Sequence, residues 1–232
     1  MPTAHFRISA QKKTFCLLCA CCLLAGMLLH CTSDQHSGTS HSTGFQPVQL
    51  QAFPQVTQTA ARSLEIHAYS LHFRLSYPDG IKPYANAQLP WMNNARLDEA
   101  SGDIITFLRS NDALRLDKPH IRVSYIRKQA EQPNVHALLQ WLKNTFVAGQ
   151  HAQVRREASP LQTASGTTAQ FMELYLPQHP GGRSQRYLAF AYLDPGQDYM
   201  LGFQLSAVSQ ADYDSLLNAF YEVVKSYESL AR

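Results

Sequence analysis

From residue 198 onward the chain carries its plainest pattern. Tyr199, Leu201, Phe203 and Leu205 alternate with Met200, Gly202, Gln204 and Ser206, the period of a half-buried strand. The period then changes to helical. Ser209 is a good N-cap, Asp212 stands where a carboxylate meets the positive helix end, and Val208 and Tyr213 are placed as a hydrophobic staple. Tyr213, Leu216, Leu217, Phe220, Val223, Val224 and Tyr227 then form an apolar stripe, with Asp214, Asn218, Glu222, Lys225 and Ser226 mostly on the other side. Residues 198–230 therefore predict one strand turning directly into one long helix whose stripe must be covered.

The same reading runs back along the chain. Leu71, Phe73, Leu75 and Tyr77 alternate in a first strand, ended by the turn Pro78-Asp79-Gly80. Residues 81–101 read as irregular, with Pro83 and Pro90 excluding a long helix and Trp91 plugging the core from a loop. Residues 103–108 and 120–126 are two more strands. Asn134 caps a helix striped by Val135, Leu138, Leu139, Leu142 and Phe146, with Gly149 as its left-handed stop. Residues 153–157, 171–176 and 186–193 follow as strands, and Asp194-Pro195-Gly196-Gln197 turns the last of them into the strand at Tyr199. Short links favour antiparallel pairing. The class is α+β, with a mainly antiparallel sheet of six to seven strands covered by helices.

The N-terminal part follows neither period. Arg7, Lys12 and Lys13 precede residues 14–29, which hold no charge and are too short for a comfortable membrane span. Residues 1–30 read as a signal peptide, the alternative being an uncleaved anchor. Leu28-Leu29-His30-Cys31 resembles the lipobox of bacterial lipoproteins, with His30 where that pattern prefers Gly, Ala or Ser. The resemblance implies that Cys31 is diacylglyceryl-modified and begins the mature chain. Thr32 lacks the aspartate that marks inner-membrane retention, which favours an outer membrane. Residues 31–62 have Asp34 as their only charge before Arg62, are rich in Ser, Thr, Gln and His, and read as a flexible tether. Residues 63–232 are then a single domain held at a membrane of the cell envelope.

Composition narrows the chemistry. All five cysteines lie at or before Cys31, so the domain has no thiol nucleophile, disulfide or cysteine metal site. Setting aside the three leader cations, the 20 basic residues fall to equality with the 17 acidic ones. A neutral domain without a basic run gives no electrostatic case for nucleic acid.

Tyr77-Pro78-Asp79-Gly80 after an aromatic strand, then Lys118, Pro119, Ile121 and Val123 on paired strands, a helix, three strands and a closing strand–helix resemble the PsbP-like family. The likeness covers residues 64–230 and rests on order and spacing. It implies an α/β/α sandwich and a binding or assembly role, with no shared catalytic residue to carry over. Ile81 stands where that family often has tryptophan after the turn.

No GxSxG, HExxH, P-loop, GxGxxG or EF-hand pattern is present. No catalytic residue, cofactor or metal is expected. His67 and His72 read as lying on opposite faces of a strand, which leaves His72 with His120 as the pair that strand pairing could bring near each other. Asp98, Glu99 and Asp103 read as a solvated loop cluster. All 11 tyrosines follow residue 62, and Tyr187, Tyr192 and Tyr221 are the candidate contact residues. The expectation is a non-catalytic envelope lipoprotein that binds a protein partner or small ligand. An envelope hydrolase with a carboxylate/His site and a purely structural component are the alternatives.

Overall fold

The alternating segments do form strands, and an unforeseen turn doubles the first of them. The computed structural model describes residues 54–85, 100–110, 112, 115, 118–178, 184–196 and 198–230. In chain order its elements are β1 (Gln55–Ala60), β2 (Ser63–Ala68), β3 (Leu71–Ser76), β4 (Ile81–Ala85), β5 (Ser101–Arg109) and β6 (His120–Arg127). Then come α1 (Val135–Gln150), β7 (Gln153–Gln162), β8 (Thr168–Leu176), β9 (Arg186–Leu193), β10 (Tyr199–Ala207), α2 (Gln210–Lys225) and β11 (Glu228–Ser229). A seven-stranded sheet runs β4-β5-β6-β10-β9-β8-β7 and a four-stranded one β1-β2-β3-β11. The pairings are antiparallel, so the α+β class stands as read. The second sheet is the addition.

β10 lies between β6 and β9, and its inward residues Leu201, Phe203 and Leu205 are completely buried. They share a core with Ile66, Phe73 and Leu75 of the small sheet and with Tyr213, Phe220 and Val224 of α2. A second core joins Val135, Leu138, Leu139 and Leu142 of α1 to Met172, Leu174, Leu188, Phe190 and Tyr192. The large sheet is thus packed on both faces, by α2 with the small sheet and by α1.

The start of α2 follows its sequence signals. Ser209 Oγ accepts from Asp212 N at 3.1 Å and donates to Asp212 Oδ2 at 2.7 Å. Arg109 Nη2 donates to Asp212 Oδ1 at 2.6 Å, tying the helix start to β5. These bonds, the Ser209 one foremost, hold the Asp212 carboxyl below its usual pKa.

Other boundaries move. α2 stops at Lys225 and does not continue toward residue 230, because Ser226 Oγ accepts from Ser76 N at 2.8 Å and the chain then pairs with β3 as β11. α1 passes Gly149, and His151 takes the left-handed conformation (φ 56°) that Gly149 was expected to supply. Residues 81–85, read as irregular, form β4, an edge strand that tolerates Pro83 because only β5 pairs with it. Residues 55–60, read as the end of the tether, form β1. Its hydrogen bonds to β2 come from backbone, so the polar sequence that argued for disorder did not prevent pairing. Residues 1–53, Trp91, Asp98, Glu99 and His179 lie outside the described residues, as do the signal-peptide and lipidation readings.

Candidate functional site

The β2–β3 hairpin builds the first constellation. A tight turn with Tyr69 left-handed (φ 53°) folds the chain back, so that His67 and His72 become direct cross-strand partners. They share one face, contrary to the reading from spacing within a single strand. Their rings stack with centroids 3.7 Å apart. Glu65, two residues before His67, lies on that face too. Its Oε1 is 2.9 Å from His72 Nε2 and 3.3 Å from His67 Nε2. Hydrogen bonds from His72 first and His67 second hold the Glu65 carboxyl below its ordinary pKa. Ile66 and Phe73 on the reverse face are buried and anchor the pair.

His120, which strand pairing could have brought near His72, sits elsewhere. It lies on β6 in the other sheet, is 2% exposed, and bonds through Nδ1 to Lys118 O at 2.8 Å. Burial, aided by the nearby Arg122 and Arg186 charges, pushes its pKa down to about 4, so it is neutral at physiological pH. Arg122 of the same strand pairs with Asp103 at 3.3 Å, and burial raises the Asp103 pKa against that pull. Asp103 is thus part of a packed ion pair and not of a solvated loop cluster. Tyr192 lies on this face as well, 3% exposed, its hydroxyl pKa raised by burial and by Asp103. It is not a contact residue. Its ring lies against Gly202, where an added Cβ would come within 2.5 Å of Tyr192 Cε1. The glycine in the middle of β10 is what lets a buried tyrosine cross that strand.

Tyr187 and Tyr221, the other two candidate contacts, occupy half-buried positions packed on the core at the α2 side of the large sheet. Two arginines that the sequence reading passed over join them. The pairing of β7 with β8 is irregular around Arg156, so consecutive residues that would alternate both reach this side. Arg155 lies over the rings of Tyr187 and Tyr213, its guanidinium carbon 5.4 and 5.7 Å from their centroids. Arg156 Nη1 donates to Tyr221 Oη at 3.1 Å and lies 5.1 Å from the Phe171 centroid. Beneath them the buried Tyr213 donates to Glu173 Oε2 at 2.7 Å; burial and that bond raise its hydroxyl pKa. No sequence signal marked them, because two adjacent arginines in a strand ordinarily face opposite sides and only the irregular pairing brings both to one.

No family model matches the chain, and no curated protein matches it. Solved structures do. Cyanobacterial PsbP (CyanoP) from Synechocystis sp. PCC 6803 is 13% identical, with a TM-score of 0.47 over 76% of this chain and 98% of that one. LpqN, involved in cell envelope biogenesis of Mycobacterium tuberculosis, is 14% identical over 65% of this chain and 84% of its own, with a TM-score of 0.39. The Saccharomyces cerevisiae Ran-binding protein Mog1p is 9% identical over 76% of this chain and 95% of its own, also with a TM-score of 0.39.

Proposed function

We propose that this protein is a non-catalytic lipoprotein of the cell envelope, anchored by a lipid on Cys31, that binds a protein partner along the seam between α2 and β7. The observation that carries the binding role is the seam itself, where exposed Arg155 and Arg156 clasp half-buried Tyr187 and Tyr221. Tyrosine and arginine are the residue types that most often dominate binding energy, because each brings broad contact area together with polar groups that can pair across an interface. The anchoring half rests on the leader pattern and on Cys31 after Leu28-Leu29-His30.

Crosslinking and pull-down from intact cells tests the binding role. A reproducible partner is expected with the wild type, and at least tenfold less of it with the double variant Arg155→Ala, Tyr221→Ala. Recovery of no partner, or equal recovery from both, overturns it. Labelling with a palmitate analogue tests the anchor separately: Cys31→Ala should lose the label, and equal labelling of both chains removes the lipid from the reading.

A further inference from the structure

We infer that Glu65, His67 and His72 form a surface site for one late first-row divalent cation, Zn2+ being the ion of choice. This site lies on the exposed face of the small sheet and is independent of the partner-binding seam. A tetrahedral Zn2+ with bonds near 2.0–2.1 Å sets its donor atoms roughly 3.3 Å apart. The two imidazole Nε2 atoms stand 3.3 and 2.9 Å from Glu65 Oε1, and all three donor atoms lie within 4.8 Å of one another. Both nitrogens already converge on one carboxylate oxygen, so a cation placed among them meets all three donor atoms in place of the two imidazole–carboxylate hydrogen bonds. Small side-chain rotations suffice.

The donor set decides the metal class. Two neutral imidazoles with one carboxylate suit Zn2+, Cu2+ or Ni2+, whereas Mg2+ and Ca2+ prefer sites made of oxygen alone. Arg74, the cross-strand partner of Glu65, is engaged with Glu228 at 3.0 Å. The Glu65 carboxylate therefore keeps its charge for the metal.

The backbone prepares the site. His67 and His72 are held in register, β1 pairs with the outer edge of β2, and β11 pairs with β3, so neither strand is free to splay. The site is also reachable, with the side chains of His67, His72 and Glu65 exposed by 47%, 33% and 27%. Three protein donors leave a fourth position for water or a ligand atom.

The test uses the full chain in detergent micelles with its five cysteines alkylated, because Cys16, Cys19, Cys21, Cys22 and Cys31 would otherwise bind zinc themselves. Zn2+ is titrated against a chromophoric chelator, and the melting temperature is followed with and without the ion. One Zn2+ per chain is expected, together with a rise in melting temperature, since an ion bound only by the folded state stabilises it. His67→Ala, His72→Ala and Glu65→Gln should each weaken binding at least about tenfold and abolish the rise, as loss of a ligand costs no less than loss of a supporting contact. His151→Ala, an exposed histidine on another part of the domain, should change neither. Absence of stoichiometric binding by the wild type overturns the proposal. So does wild-type affinity in His72→Ala. If an alanine variant fails to show a folded far-ultraviolet spectrum, Glu65→Gln, which preserves size and hairpin register, decides alone.

Discussion

Two regions of this domain use the same side chains to opposite ends. On the small sheet, His67 and His72 lie side by side against Glu65 with one face of their rings open to solvent. On the α1 side of the large sheet, His120 and Tyr192 are buried and the Arg122–Asp103 pair is mostly so. Enclosure changes their chemistry. A histidine that must lose its hydration to carry charge stays neutral, and a tyrosine in the same setting keeps its proton. The open pair keeps its ring nitrogens where a metal can reach them. The lesson is that a carboxylate–histidine grouping counts toward function only after it is known what covers it.

Removing the Tyr192 ring should have the largest effect. Tyr192→Ala is expected to lower stability by about 3–5 kcal/mol in urea unfolding, the range for truncating a buried aromatic. A loss below about 1 kcal/mol would return Tyr192 to the surface and erase the contrast. Acid should come next. The folded His120 pKa of about 4 lies below the unfolded value near 6.5, so between those limits the unfolded chain takes up a proton that the folded one refuses. Its contribution is full above about pH 6.5 and falls as the pH drops toward 4, by about 3 kcal/mol in all. Asp103, whose pKa is raised, acts with the opposite sign. The effect is therefore measured as the difference in pH slope between wild type and His120→Asn, and equal slopes would contradict it. The smallest change belongs to the open pair. His72→Ala without metal should cost no more than about 1 kcal/mol in thermal unfolding, being a half-exposed surface substitution. A greater cost would make the stacked pair a structural element of the hairpin.

Strands with one apolar face were legible residue by residue, as Leu71, Phe73 and Leu75 or Ile121, Val123 and Tyr125 show. So were Ser209 and Asn134 as caps, because capping is a local hydrogen bond that needs no distant partner. β1 was not legible. Gln55 to Ala60 carries almost no apolar pattern, and its place comes from backbone pairing with β2. The candidate sites were legible only in part. Tyr187 and Tyr221 were singled out and are both half-buried on the α2 side of the large sheet, whereas Tyr192 is buried on the α1 side. The side a strand tyrosine faces depends on which layer lies over that side, and here α1 and Gly202 settle it.

What the amino-acid sequence determined by itself was the set of local periods, the caps, most of the turns and the neutral, thiol-free character of the domain. The periods, caps and turns depend on residues within a few positions of one another, and the charge and thiol content need only a count. Only the tertiary structure decided which histidines meet. A left-handed Tyr69 reverses the chain so that His67 faces His72, and pairing with β5 and β10 carries His120 into a different sheet. The reason is geometric. Strand register and the layers that cover a sheet are set by contacts between distant segments, and a shift of one residue in either would turn the same side chains to the other face.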